Sequence, residues 1–230
     1  MKLIEPRIEV EKFDSKKIMK NLERACRTCY RSEDKITEDS YKTLLQNCIN
    51  RGHESILEHE KITISMICDV GVYKDLTRHR FASFSIESTR YCNYGKDKFD
   101  NELKFIVPCN LKEGTPLYDT WKRTMEEVEK GYLEMSQASA TVDQLRMLLP
   151  HSTAAKIFMT ANIREWKHIL SLRTTVHAHP AIQQLLIPFL LLLKKEMPEI
   201  YGDIEYNEKF EEMYNQPLAK LTFMKDEKNG

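Results

Sequence analysis

The sequence predicts an α+β fold with a largely antiparallel sheet flanked by helices, and three observations carry the prediction. Apolar residues recur every three or four positions in several segments, the period drops to two between Lys61 and Val70, and helices and strands follow one another without a regular βαβ alternation. No Pro-, Gly- or Ser-rich stretch divides the chain, so residues 1–230 read as a single domain.

Asp14 or Ser15 caps a first helix running to about Tyr30, with Ile18, Leu22, Ala25 and Cys29 on one face. A second helix covers about Asp39 to Asn50, its stripe formed by Leu44, Leu45 and Cys48. From Lys61 to Val70, Ile62, Ile64, Met66 and Cys68 fall on one side of a strand. A short helix follows from Gly71 to about Arg78, then a strand from Leu103 to Val107. A long helix from Leu117 to about Ala138 turns Trp121, Met125 and Val128 inward. Another short helix, near Val142 to Leu149, stops at Pro150, and Thr153 to Ala161 forms a second strand. Helices over about Arg164–Arg173 and Pro180–Lys195 are apolar enough for the interior or a subunit interface, and the tail from about 222 to 230 is expected to fray.

Lys plus Arg and Asp plus Glu each number 35, giving a formal net charge of zero. A long-range pull toward nucleic acid or an anionic membrane is therefore not expected, and any anion site must be local. The opening residues Met1-Lys2-Leu3-Ile4-Glu5 soon become charged and lack the apolar run of an export signal. The longest apolar run, Leu185 to Leu193, is broken by Pro188 and falls well short of the roughly 18 to 20 residues that span a bilayer. No membrane partner is expected. The six cysteines read as free thiols of a reducing compartment, so the expected location is cytoplasmic. Cys26-Arg27-Thr28-Cys29 has C-x-x-C spacing, yet it lies in an amphipathic helix and lacks the second pair that a tetrahedral zinc site needs.

The densest chemistry lies in Arg78-His79-Arg80-Phe81-Ala82-Ser83-Phe84-Ser85-Ile86-Glu87-Ser88-Thr89-Arg90-Tyr91, where arginines and hydroxyls crowd around a single acid. Guanidinium forks bind phosphate oxygens bidentately, and the hydroxyls and backbone N–H groups of an irregular loop supply further donors. A merely solvated basic face would use Lys as readily as Arg and would have no need of Phe81 and Phe84 between the charges. There is no G-x-G-x-x-G after a strand and no G-x-x-x-x-G-K-[ST] loop, so a dinucleotide would bind without Rossmann or P-loop machinery.

Arg78-His79-Arg80, followed by seven residues and Ser88, resembles the R-H-R-x7-S signature of the flavin-dependent thymidylate synthases, and Arg90-Tyr91 continues the likeness. Gly52-His53-Glu54-Ser55-Ile56-Leu57-Glu58-His59 is similar to that family's G-H-x-S/T-x-x-E-H segment. Arg146 in Gln144-Leu145-Arg146, Asn162 with Arg164 and His168, and Arg173 with His177-Ala178 stand where the family has its remaining polar elements. Taken alone, Arg146 reads as an ordinary exposed helix arginine.

The resemblance implies an FAD enzyme that reductively methylates dUMP to dTMP, with methylenetetrahydrofolate as carbon donor and NADPH as reductant. It further implies a homotetramer whose active sites draw on more than one subunit. By position, Ser55, Arg78, His79, Arg80, Asn162, Arg164 and His168 would hold FAD. Asp75, Arg78, Glu87, Ser88, Thr89, Arg90, Arg146 and Arg173 would hold dUMP, Arg90 and Arg146 at its phosphate. His53 would border the folate or nicotinamide pocket, and Arg173 would be catalytic, stabilising negative charge as the pyrimidine N3 ionises. Ile86 stands where some relatives have a carboxylate or amide and offers only its backbone. Asp75 replaces a glutamine and, ionised, cannot donate to a uracil carbonyl.

Metal is not expected, because His53 and His59 are six apart and meet neither zincin spacing; His59 alone reads as a structural hydrogen-bonding residue. A single-stranded nucleic acid binder, stacking bases on Phe81, Phe84, Tyr91 and Tyr94, is the rival reading, and zero net charge argues against it.

Overall fold

A computed structural model describes residues 1–96, 98 and 100–225. The chain opens with two short strands, β1 (Lys2–Leu3) and β2 (Arg7–Val10). Helix α1 (Ser15–Thr28) is capped by Asp14, whose carboxylate accepts from the Lys17 N–H at 2.9 Å. Its buried row is Ile18, Met19, Leu22 and Cys26, so Cys29, expected on the inner face, is exposed. The i, i+4 succession 18-22-26 carries the stripe past Cys29. Cys26 meets not Cys29 but Cys48 of α2 (Ser40–Asn50), sulfur to sulfur 3.1 Å, both as free thiols.

A turn at Gly52, with φ of +73°, leads into a 3₁₀ segment over Glu54–His59 and then β3 (Lys61–Asp69). Ile62, Ile64, Met66 and Cys68 all face the core, as their alternation predicts. Helix α3 (Val70–Leu76) is capped by Asp69, and β4 (Ala82–Ile86) follows where an irregular loop was expected. The five β4 residues alternate half-buried and exposed, a strand pattern hidden in sequence by the serines on its open side. Next come β5 (Lys104–Phe105), the long α4 (Pro116–Gln137), the single turn α5 (Val142–Leu145), β6 (Ala154–Asn162) and α6 (Ile163–Arg173). The chain closes with α7 (Pro180–Glu196), α8 (Pro198–Tyr201), α9 (Phe210–Tyr214) and β7 (Lys220–Phe223).

The main sheet has the order β4-β6-β3-β2-β7. The β4–β6, β6–β3 and β3–β2 ladders are antiparallel, whereas β2–β7 is parallel, as is the separate β1–β5 pair. The main sheet is thus mixed, antiparallel in three of its four ladders as expected and parallel at the β2–β7 edge. Four-residue strands such as β2 and β7 carry too little alternation to be read from sequence. Thr222 and Phe223, placed by expectation in the frayed tail, belong to this edge strand, and the Met224 N–H donates to the Val10 carbonyl at 2.8 Å. The remainder of that expectation, residues 226–230, lies outside the described residues.

Helices α1, α2, α6 and α7 share one core with the inward residues of β2, β3 and β6. Trp166 of α6 is fully buried there, donates its indole N–H to the Ile62 carbonyl at 2.9 Å and meets Phe189 edge-on at 5.0 Å. That anchor fixes α6 across the end of the sheet from which the site is built. Helix α7 is buried on almost every side and contains Pro188, which has no N–H for the Gln184 carbonyl one turn back. The Ala219 N–H takes that carbonyl at 2.9 Å and Gln184 Nε2 donates to the Pro217 carbonyl, so the proline's missing bond ties the segment before β7 to the helix. No described helix is long and apolar enough to cross a membrane.

Candidate active site

Asn162 ends β6 and begins α6: its side-chain oxygen accepts from the Glu165 N–H at 2.8 Å, turning the chain from strand to helix. Directly across, β3 opens at Lys61, paired with Asn162, and β4 opens at Ala82, paired with Ala161. The Arg78–Arg80 turn before β4 therefore meets the first turn of α6. Between them lies a cavity of about 950 Å³, and Arg78, His79, Arg80, Asn162, Arg164 and His168 all line it. Six of the seven residues assigned to FAD thus converge on one hollow. The seventh, Ser55, is exposed on the 3₁₀ segment, as is His53 beside it.

The guanidinium groups of Arg78 and Arg80 are exposed and make no ion pair among the described residues. Arg164 is engaged on two of its nitrogens, Nη1 2.7 Å from Glu58 and Nε 3.7 Å from Glu54. Lys167 is likewise held by Asp203 and the Ile200 carbonyl. His59, expected to make a structural hydrogen bond, is exposed and makes none among the described residues; it lines a smaller cavity alongside.

At the inner wall His79 is only 6% exposed. Its Nε2 accepts from Arg173 Nε at 3.2 Å, its Nδ1 lies 3.5 Å from Glu165 Oε1, and its ring meets His168 edge-on at 5.7 Å. Burial, with Arg173 and His168 adding to it, pushes His79 down to about 4, so the ring is neutral at neutral pH. Its contact with Glu165 is accordingly not an ion pair, although the distance would allow one. Burial also pushes the Glu165 carboxyl up. Arg173 is fixed on its other side by the Asp75 carbonyl, 3.1 Å from Nη2, and by the Asp75 carboxylate, 3.8 Å from Nη1.

The other residues assigned to dUMP lie beyond the far end of β4. Ser88 Oγ accepts from the Arg90 N–H at 3.3 Å, Thr89 is half-buried, and the exposed Arg90 lies 3.7 Å from Asp143 of α5. Arg146, at the end of α5, is exposed, and its charge is felt at Tyr73 of α3. Glu87 is turned elsewhere: its carboxylate accepts from the Tyr94 hydroxyl at 2.8 Å and lies 3.4 Å from the Lys156 N–H. The structure thus gathers Asp75, Arg78 and Arg173 near the cavity, and separates them from Ser88, Thr89 and Arg90 by the length of β4.

The family described as thymidylate synthase complementing protein, Thy1, matches residues 14–199. The chain belongs to this family. Among its Thy1 relatives, the flavin-dependent thymidylate synthase of Pyrococcus abyssi is 36% identical over 154 residues, 66% of this chain and 62% of that protein. The Pyrococcus furiosus protein of the same name is 34% identical over the same shares, so the matched region spans about 62% of the length of these relatives. A UMP/dUMP methylase, PolB, from Streptomyces cacaoi bound with 5-Br dUMP superposes with a TM-score of 0.73 at 23% identity, covering 88% of this chain and 96% of that one. Thymidylate synthase X from Helicobacter pylori with FAD and dUMP gives 0.70 at 20% identity, covering 86% and 98%. At these identities the structural likeness establishes the Thy1 fold.

Two polar residues escape a reading by sequence, Glu165 in the cavity wall and His179 at the start of α7. Glu165 follows a capping asparagine by three positions and so resembles half of an ordinary capping box, which gives no hint of a carboxyl turned inward. His179 follows the His177-Ala178 pair and caps α7, its Nδ1 accepting from the Ala181 N–H at 3.3 Å. The proline at the first position of α7 was the available signal for that cap.

Proposed function

We propose that this chain is a flavin-dependent thymidylate synthase, converting dUMP to dTMP with methylenetetrahydrofolate as carbon donor and NADPH as reductant. The observation that carries the proposal is the convergence of Arg78, His79, Arg80, Asn162, Arg164 and His168 on one cavity of about 950 Å³, a volume suited to a cofactor. The donor set fits FAD: two guanidinium forks without carboxylate partners and the amide end of an eleven-residue helix suit a pyrophosphate.

When bound, the flavin supplies the hydride. The protein's own part is orientation and electrostatics. None of the six cysteines lines the cavity, and Cys92, whose N–H donates to the Ser88 carbonyl, has its thiol pushed up by burial, which disfavours the thiolate that attack on pyrimidine C6 needs. Arg173 fits the alternative. With Nε committed to His79 and one Nη2 proton to the Asp75 carbonyl, it keeps further N–H donors for the pyrimidine edge, where negative charge at N3 and its flanking carbonyls makes C5 nucleophilic. A carboxylate at Asp75 has no proton to donate to that edge, and in the structure the Asp75 carbonyl and carboxylate lie against Arg173.

Strand β4 supports a shared site. Its four residue steps alone span about 13 Å between the Arg78–Arg80 turn and the Ser88–Arg90 turn. Phe81 at one end and Tyr91 at the other are 80% and 83% exposed, and Met147 beside Arg146 is 80% exposed. Such apolar surface next to ligand residues is suited to burial between copies of the chain, and we propose a homotetramer in which one dUMP takes donors from two subunits. Titration of the purified protein with FAD at micromolar concentration tests the cofactor reading: quenching of flavin fluorescence with a shifted absorbance band is expected, and unchanged flavin spectra overturn it.

A further inference from the structure

We infer that Glu165 is a positioning residue: it fixes the proton of His79 on Nδ1 and thereby orients the guanidinium of Arg173. The inference rests on the site reading above for its consequence in turnover, and on geometry alone for the proton. An arginine side chain can only donate, so the imidazole nitrogen that receives Arg173 Nε, His79 Nε2 at 3.2 Å, carries no proton. A neutral imidazole has one N–H, which must then sit on Nδ1. That nitrogen faces Glu165 Oε1 at 3.5 Å. The carboxyl of Glu165, the neutral ring of His79 and the guanidinium of Arg173 form one chain with a single direction.

The local fold explains why Glu165 is free for this task. In a full capping box the acid at the third helical position returns its carboxylate to the cap residue's own N–H. Here only the forward half of the box forms: Asn162 Oδ1 accepts from the Glu165 N–H, and the Glu165 carboxylate does not return to the Asn162 N–H. The Glu165 side chain, 10% exposed, is left against His79. Other charged groups facing the ring come from α3, which brings Asp75, and from α6, which brings Arg173 and His168. Arg173 excludes a proton from Nε2, and Glu165 is the one carboxylate within 4 Å of Nδ1 among the described residues, placed to hold the proton there. With the opposite tautomer, Nε2–H would confront the N–H of Arg173, and the arginine would have to turn away from its present alignment. Carboxylates that orient a metal-bound histidine are worth roughly 10- to 100-fold in activity, and the lower end of that scale is taken here for a histidine that orients an arginine.

The experiment uses the intact chain with ¹⁵N-labelled histidine and the variants Glu165→Leu and Glu165→Gln. In the parent, His79 is expected to show one pyrrole-type nitrogen at Nδ1 and one pyridine-type nitrogen at Nε2. Glu165→Gln, whose amide oxygen still accepts, is expected to keep that pattern and turnover within about twofold. Glu165→Leu is expected to mix the tautomers and to lower single-turnover dTMP formation by about 10-fold with little change in the KM for dUMP. An unchanged Nδ1–H pattern in folded Glu165→Leu overturns the inference, as does a pyridine-type Nδ1 in the parent. The nitrogen shifts do not depend on activity. A chain that forms no dTMP yet shows the tautomer change would contradict the proposed function and leave the role of Glu165 standing.

Discussion

His79 sits where three kinds of force meet: burial, a donor on one nitrogen and a carboxyl near the other. Its lowered pKa has a consequence for stability. Between the ordinary histidine value of 6.5 and about 4, the unfolded chain binds a proton at His79 that the folded chain refuses, so stability falls as pH falls through that window. The loss is of the order of 3 kcal/mol once pH is below about 4. Urea midpoints measured from pH 7 to 4.5 should therefore drop less steeply in His79→Gln than in the parent, and parallel curves would show that His79 is not the group responsible. Arg173 makes a different kind of contribution, aimed at charge that develops during reaction. Arg173→Ala should cut turnover by about 100-fold or more, with flavin binding retained, and Arg173→Lys should recover only part, because an ammonium lacks the planar fork. The measurement is single-turnover dTMP formation with pre-reduced enzyme and saturating dUMP; the parent rate in Arg173→Ala would remove the residue from the chemical step.

At the scale of elements, α6 and the turn before β4 do most to place the site, and the elements differ in how far the sequence discloses them. The period-two run of β3 and the cap at Asp14 are local signals, readable because they depend on neighbours in the chain, whereas Asn162 was read by its motif and not as a cap. The β2–β7 pairing joins segments more than two hundred residues apart, and only tertiary contact decides it. β4 escaped for another reason: Ser83 and Ser85 face out, and the half-buried Ala82, Phe84 and Ile86 look like loop apolars until β6 is beside them. Pro188 links the two scales, because the carbonyl it leaves open anchors Ala219. Pro188→Ala restores a helical N–H that competes for the Gln184 carbonyl. Hydrogen exchange at the Ala219 amide should then quicken by roughly fivefold, the equivalent of about 1 kcal/mol of lost protection. Unchanged exchange would mean that the anchor is independent of the proline.

For the whole molecule, the segments that line the cavity stood out because few residue types fit anion chemistry, while their distance from the Ser88–Arg90 turn along β4 is seen only in three dimensions. Glu87 illustrates the limit: its place after Ile86 suggests a ligand, and the fold gives its carboxylate to Tyr94. If Arg90 and Arg173 serve one site from two subunits, Arg90→Ala and Arg173→Ala should each be nearly inactive alone. Co-expressed, they should recover on the order of a quarter of parent activity, the fraction of sites with both arginines intact under random mixing in a symmetric oligomer. No recovery in mixed oligomers would place both arginines in one chain's own site. The reaction itself is the most direct test of all. Purified protein would be incubated with dUMP, methylenetetrahydrofolate and NADPH, with and without added FAD, and dTMP measured by mass spectrometry. Formation of dTMP that requires FAD is the predicted result; absence of dTMP from flavin-saturated protein, or formation indifferent to the flavin, would contradict the account.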